Sequence, residues 1–254
     1  MRAPARFAQW VSENRYVDPR FGHIYRYHPR SNAHSIALCT EIWRDLMAAC
    51  PVLRSHAESG RAICAIDVRY RWPSTGKVKT LDLAVGPPLE LSAGTPSPQP
   101  VLRAALSDVY LSCEAKSVMT EHGKSKPRVY DELSSSHEIV HQGRQDAIAT
   151  GITVVNIAPM FVSPLRQNSR KSVRVSHHKQ PDAAEAMIRH LRGLPIRDVP
   201  GEVGFDAYAT VVVDCDNQTD CTLVEAPPAP QPGDSDHYET FLGRISRAYA
   251  ERFA

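Results

Sequence analysis

Val109-Tyr110-Leu111-Ser112-Cys113-Glu114-Ala115-Lys116 ends an apolar run on two charged residues. Its branched and aromatic start predicts a strand over part of Ala104 to Lys116. The strand period of two then sets Glu114 and Lys116 on one face, about 7 Å apart along the chain. Leu81-Asp82-Leu83 supplies a second carboxylate in a similar setting. Lys77 to Val85 predicts a strand returning from the turn at Pro73-Ser-Thr-Gly76, and Arg61 to Trp72 predicts the strand before it. Charges inside apolar strands are costly unless they pair or bind metal. Asp82, Glu114 and Lys116 therefore form either a converging site or an unremarkable set of strand-end charges.

Outward from this hairpin and third strand, the pattern becomes helical. Ile36, Leu38, Ile42, Trp43, Leu46 and Met47 make an apolar stripe from about Asn32 to Ala49, and Pro51 follows its end. Residues 1–31 read as an irregular arm, and Gly86 to Pro100, with five prolines, reads as a loop. Lys124 to Pro127 interrupts the pattern before a helix over Arg128 to His141, closed by Gly143. Ile148 to Val162 reads as a buried strand, and Asp182 to Leu194 as a helix capped by Asp182. A strand over Ala207 to Asp214, a Pro-rich connection over Ala226 to Asp236 and an amphipathic helix over His237 to Phe253 complete the order. The expectation is an α/β fold with a mixed central sheet flanked by helices. In domain terms this is an arm over 1–31 and one domain over 32–254, with its core at 32–162 and a C-terminal elaboration at 163–254.

Composition removes several function classes. The 254 residues are 42% hydrophobic and 23% charged, ordinary for a globular chain. No apolar run approaches the roughly 20 residues of a membrane span, and MRAPARFAQW lacks the apolar segment of a secretory signal. A cytoplasmic protein without a membrane partner is expected. The six cysteines, at 39, 50, 64, 113, 215 and 221, show no C-x-x-C spacing, which favours reduced core thiols over zinc. No G-x-x-x-x-G-K-[ST], G-x-G-x-x-G or G-x-S-x-G run occurs, so no signature of a P-loop, a dinucleotide site or a hydrolase elbow is present.

The net charge of +2 hides a segregation. From Ala147 to Pro181 there is no acidic residue, while Arg166, Arg170, Lys171, Arg174 and Lys179 all occur there. From Asp198 to Gly243 there are ten acidic residues and no Lys or Arg. The basic stretch suits a polyanion, and a solvated basic face is the bland alternative. Lys124, Lys126 and Arg128 cluster just past Lys116 and suit phosphate contact in the same way. Thr120 and His122 read either as phosphate contacts or as solvated loop, and His177-His178 as basic loop.

Asp82 with Glu114-Ala115-Lys116, after a helix and across three strands, resembles the PD-(D/E)XK nuclease superfamily, which includes restriction endonucleases. The resemblance spans Asn32 to Val162, and it departs from the pattern in that Leu81, not Pro, precedes Asp82. It implies a restriction-endonuclease-like core, Mg²⁺ (or Mn²⁺) held by Asp82 and Glu114, and Lys116 as the catalytic lysine. It further implies Glu41, from the preceding helix, as a third ligand, with Asp67 the substitute for Asp82. DNA would be the substrate, its backbone met by Lys124, Lys126, Arg128, Arg170, Lys171 and Arg174. A homodimer is expected where both strands are cut, and restriction or phage defence is the implied setting.

His137-Glu138-Ile139-Val140-His141 competes, because H-E-x-x-H on a helix can bind zinc with the Glu as base. Gly143 follows at once, three serines precede it, and no third ligand is close in sequence. A zinc metallopeptidase is thus one alternative, and a nuclease-like fold kept only for nucleic-acid binding is another.

Overall fold

Ile148-Ala-Thr-Gly-Ile-Thr-Val-Val-Asn156 is buried at every position, which marks a strand covered on both faces. The computed structural model, which describes residues 1–89 and 98–254, places it in the interior of a seven-stranded sheet. In chain order the elements are α1 (Ala3–Glu13), β1 (Tyr16–Val17), β2 (Ile24–Tyr25), α2 (Ala33–Ala49), α3 (Pro51–Glu58), β3 (Ile63–Arg71) and β4 (Val78–Gly86). There follow β5 (Val101–Leu102), β6 (Leu111–Val118), α4 (His122–Gly143), β7 (Ile148–Asn156), β8 (Met160–Val162) and β9 (Val175–His177). The chain closes with α5 (Asp182–Leu191), β10 (Ala207–Asp214), β11 (Thr222–Val224) and α6 (Tyr238–Phe253).

The sheet runs β11-β10-β7-β6-β4-β3-β5. β6, β7 and β10 are parallel neighbours, whereas β3 with β4, β4 with β6, and β10 with β11 are antiparallel. Helices cover both faces. Phe7, Leu38, Ile42, Phe241 and Ile245 of α1, α2 and α6 fill one core. Val129, Leu133, Met187 and Leu191 of α4 and α5 fill the other. The fold is therefore α/β with a mixed central sheet. Among the described residues no helix is long and apolar enough to cross a membrane.

Several boundaries differ from the sequence expectation. Residues 1–31 are not wholly an irregular arm: Ala3, Phe7 and Val11 recur every four residues, all at most 1% exposed, and seat α1 against α2. Arg6 ties it there by bonding Glu41 and Asp45. Helix α4 begins at His122, six residues before Arg128, so the Lys124–Pro127 segment is helical. Pro127 sits in its second turn, where it forfeits one interior backbone bond, and the buried Val129, Leu133 and Val140 hold the helix together around it. Gly143 is the last residue of α4, which the extended Arg144 caps, and a Cβ at 143 would lie 2.2 Å from the Trp72 ring. Asp182 provides no side-chain cap to α5, whose N-cap is Pro181. The segment 163–254 joins the same sheet, because β10 pairs along β7 and α6 packs on β10. The loop expected over 86–100 falls in large part on residues 90–97, outside the described residues. All six cysteines are free and buried, as expected.

Candidate active site

The β4–β6 ladder contains only Leu83 with Cys113, Ala84 with Ser112, and Val85 with Leu111. Beyond it β4 continues beside β3 to Val78, and β6 continues beside β7 to Val118. The two strands thus part like a fork, and Asp82 and Glu114 are the first residues past the parting. Asp82 turns its carboxylate into the gap, where Oδ2 accepts the Ala115 N–H at 2.9 Å. A side chain here replaces the lost ladder bond, because a buried N–H must find an acceptor.

Alternation along the hairpin fails at the same level. Ile66 and Leu83 face the core of α1, α2 and α6, but Val68 and Leu81, two residues on, face that of α4 and α5. Asp67 lies between them on β3 with φ 54°, a left-handed conformation that turns the strand over. Lys79, on the turned part of β4, reaches the face of Glu114, and its Nζ lies 3.2 Å from Oε2.

Glu114 is only 5% exposed and fully engaged. Its Oε1 meets Lys116 Nζ at 2.6 Å, and its Oε2 also accepts from Ser136 Oγ of α4 at 3.1 Å. Lys116 further meets Glu132 at 3.3 Å, and Arg128 bonds Glu132. Burial opposes the Lys116 charge, yet Glu114, Asp82 and Glu132 outweigh it and hold the ammonium pKa above the ordinary value. Burial, reinforced by the Glu114 charge, pushes the Asp82 carboxyl up to about 6. Burial and the Lys116 charge push His34 of α2 down to about 4.

Asp82 thus lies in a poorly solvated fork within reach of the Glu114 charge. A cation between them would relieve their repulsion, and oxygen donors suit Mg²⁺. Asp82 and Glu114 are oxygen donors of the kind such an ion takes, and an ion held there would displace Lys79, Lys116 or Ser136 from the Glu114 oxygens. Among the described residues, however, no cluster of three or more His, Cys, Asp or Glu is placed to hold a metal, so waters and substrate phosphate would complete the shell.

Glu41 does not join this group. Its carboxylate is taken by Arg6 and Arg44, on the side of α2 where α1 docks, and the third-ligand expectation loses its residue. Asp67 is held by Arg103 and Asn32. Lys79, Ser136 and Glu132 were missed in the sequence. Ser136, Glu132 and Arg128 recur every four residues on α4, a spacing that puts them on one face, but nothing in the sequence aligns that face with Glu114.

The two basic segments meet. A cleft of about 740 Å³ between the start of α4 and the 166–179 segment is lined by Lys124, Arg166, Arg174 and Lys179, with Glu121, His122, His177 and His178. Lys126, Arg128, Arg170 and Lys171 do not line it. Lys124 and Arg166 both pair with Glu121. Thr120 bonds His178 at 2.9 Å, which ties the residues before α4 to the end of the basic segment.

In the H-E-x-x-H segment, His137 is buried edge-on against Phe205, and His141 bonds Asp206 at 3.3 Å. Asp206 also binds Arg197, Arg252 and the Ala149 N–H. That network ties α4 to β7, β10 and α6, and it occupies the second histidine. Compared with known protein families, curated proteins and solved structures, the chain has no match.

Proposed function

We propose that the chain is a metal-dependent nuclease that hydrolyses DNA phosphodiester bonds. The observation that carries this reading is the parting of β4 and β6, which leaves Asp82 and Glu114 side by side with Lys116 bonded to Glu114. The order α2, β3, β4, β6, α4, β7 supports it. It follows the helix, three strands, helix, strand order of the resemblance to PD-(D/E)XK nucleases, with β3, β4 and β6 antiparallel in turn and β7 parallel to β6.

In this reading Asp82 and Glu114 hold Mg²⁺ or Mn²⁺, and Glu41 has no part. When bound, such an ion polarises a phosphoryl oxygen and acidifies a coordinated water. Lys116, kept protonated by its acidic neighbours, donates to the oxygen on which charge grows as water adds to phosphorus and the P–O bond breaks. Lys79 neutralises the second Glu114 oxygen and holds that carboxylate in place. Arg128 steadies Glu132 beside Lys116. Lys124, Arg174 and their neighbours in the basic cleft hold the backbone as point charges. Lys126, Arg170 and Lys171 extend the same charge outside it. A cytoplasmic homodimer acting in restriction or defence completes the proposal by analogy with the family.

The test is cleavage of supercoiled plasmid by the full chain and by Lys116→Ala. Conversion to nicked or linear forms by the parent, lost in a variant with unchanged thermal unfolding, is the expected result. Full cleavage by Lys116→Ala ends the assignment.

A further inference from the structure

The β10–β11 hairpin carries two free cysteines at its turn. Its ladder pairs Val212 with Val224, Val213 with Leu223 and Asp214 with Thr222. One step further, the same register sets Cys215 opposite Cys221. The two backbones turn away from each other there. The Cys215 N–H and carbonyl bond the Asn156 side chain at 3.0 and 2.8 Å, and the Cys221 N–H and carbonyl bond the Ser12 hydroxyl at 2.8 and 3.0 Å. In an antiparallel ladder this outward pattern marks the non-hydrogen-bonded pair, whose Cα atoms lie about 4.5 Å apart with the side chains at their closest. A disulfide spans Cα separations of about 4.4–6.8 Å, so the pair sits within bridging reach.

The two thiols also differ in character. Burial pushes the Cys39, Cys64 and Cys113 thiols up, as it does for inert core cysteines. Cys215 is lowered instead, first by the Cys221 thiol as hydrogen-bond partner and then, against burial, by the Asn217 backbone N–H. Cys221 is raised by the same bond and by burial. One sulfur thus gains thiolate character while its neighbour keeps a proton, the division found between an attacking and a resolving thiol. The turn that joins them is firmly held. Asn217, in the left-handed region at φ 74°, accepts the Tyr27 N–H and donates to the Tyr27 and Val162 carbonyls. Gln218, Thr219 and Asp220 at the tip are exposed, and Cys221 follows them at 4% exposure, so a water-sized oxidant has the shortest way in from this end.

We propose that Cys215 and Cys221 are a redox-active dithiol, which hydrogen peroxide closes to a disulfide across the turn that carries Asn217. The Cys215 sulfur attacks one peroxide oxygen. The S–O bond forms, the O–O bond breaks, and the other oxygen leaves with the Cys215 proton as water. The Cys221 sulfur then attacks the Cys215 sulfur. The S–S bond forms, the S–O bond breaks, and the oxygen leaves with the Cys221 proton as a second water. The two thiols lose two electrons and the peroxide gains them. The proposal does not depend on the nuclease reading.

The experiment treats the reduced full chain with hydrogen peroxide at neutral pH, folded and, in parallel, unfolded in urea. Acid quenching, alkylation of the remaining thiols in denaturant and peptide mapping by mass spectrometry then locate every cysteine. The expected result in the folded protein is one cross-link, joining Cys215 to Cys221 with the loss of two hydrogens, while Cys39, Cys50, Cys64 and Cys113 are still alkylated. Dithiothreitol should restore all six thiols. In Cys221→Ser the reaction should stop at a sulfenic acid on Cys215, trapped by dimedone. Should that variant fail to fold, the map of the parent chain decides alone. A cross-link that forms in urea but not in the folded protein overturns the proposal. So does a folded protein whose first cross-link joins other cysteines, or one in which Cys215 is oxidised without ever joining Cys221.

Discussion

Asp82→Asn should make the protein more stable, and only at neutral and alkaline pH. Folding raises the Asp82 carboxyl from an ordinary 3.8 to about 6, chiefly by burial and then by the Glu114 charge. At about 1.4 kcal/mol per tenfold change in acidity, that displacement amounts to about 3 kcal/mol. Partial exposure of the side chain screens it, so about 1–3 kcal/mol is expected. Because the folded value lies above the unfolded one, the carboxylate costs nothing below pH 3.8, where both states are protonated. The cost grows between 3.8 and about 6, then stays constant. Asparagine keeps an oxygen for the Ala115 N–H, so the substitution removes charge without orphaning the donor. Urea unfolding at pH 4 and pH 8, in EDTA, should show the two proteins converging at the lower pH and the variant ahead at the higher one. A variant equal to or weaker than the parent at pH 8 would refute the claim that this carboxylate is held at a cost to the fold.

Glu114→Ala should destabilise by about 3–5 kcal/mol in the same assay, because it strands Lys79 in a half-buried site and leaves Lys116 only its longer contact with Glu132. Phe7→Ala should cost about 3–5 kcal/mol through the cavity left between α1 and α2, which urea unfolding would detect. Asp206, whose carboxyl is lowered to about 2 against burial by His141, Arg197 and Arg252, stabilises the fold above pH 3.8. That stability should drain away as pH falls from 3.8 toward 2, and Asp206→Asn should flatten this limb of an acid titration followed by circular dichroism.

The hairpin, its third strand and Ala207–Asp214 were legible because alternation and turn residues act locally. So was the pairing of Glu114 with Lys116, which needs only the strand period. The partners of that pair were not. Lys79 reaches Glu114 because Asp67 turns its strand over, and no periodicity announces a left-handed residue inside a strand. Glu41 was misplaced because a helical stripe fixes a face but not its neighbour, and Arg6 of an unforeseen helix claims that carboxylate. The α1 signal was present in Ala3, Phe7 and Val11, but Pro4 and the arginines at 2 and 6 obscured it. Pro127 was read as a break, but the burial of Val129, Leu133 and Val140 carries the helix through it.

The most direct test of the account is incubation of the purified full chain with linear and supercoiled duplex DNA in Mg²⁺, in Mn²⁺ and in EDTA. The account predicts cleavage with either metal and none in EDTA. Cleavage that persists in EDTA, or intact DNA under every metal at high enzyme excess, would contradict it.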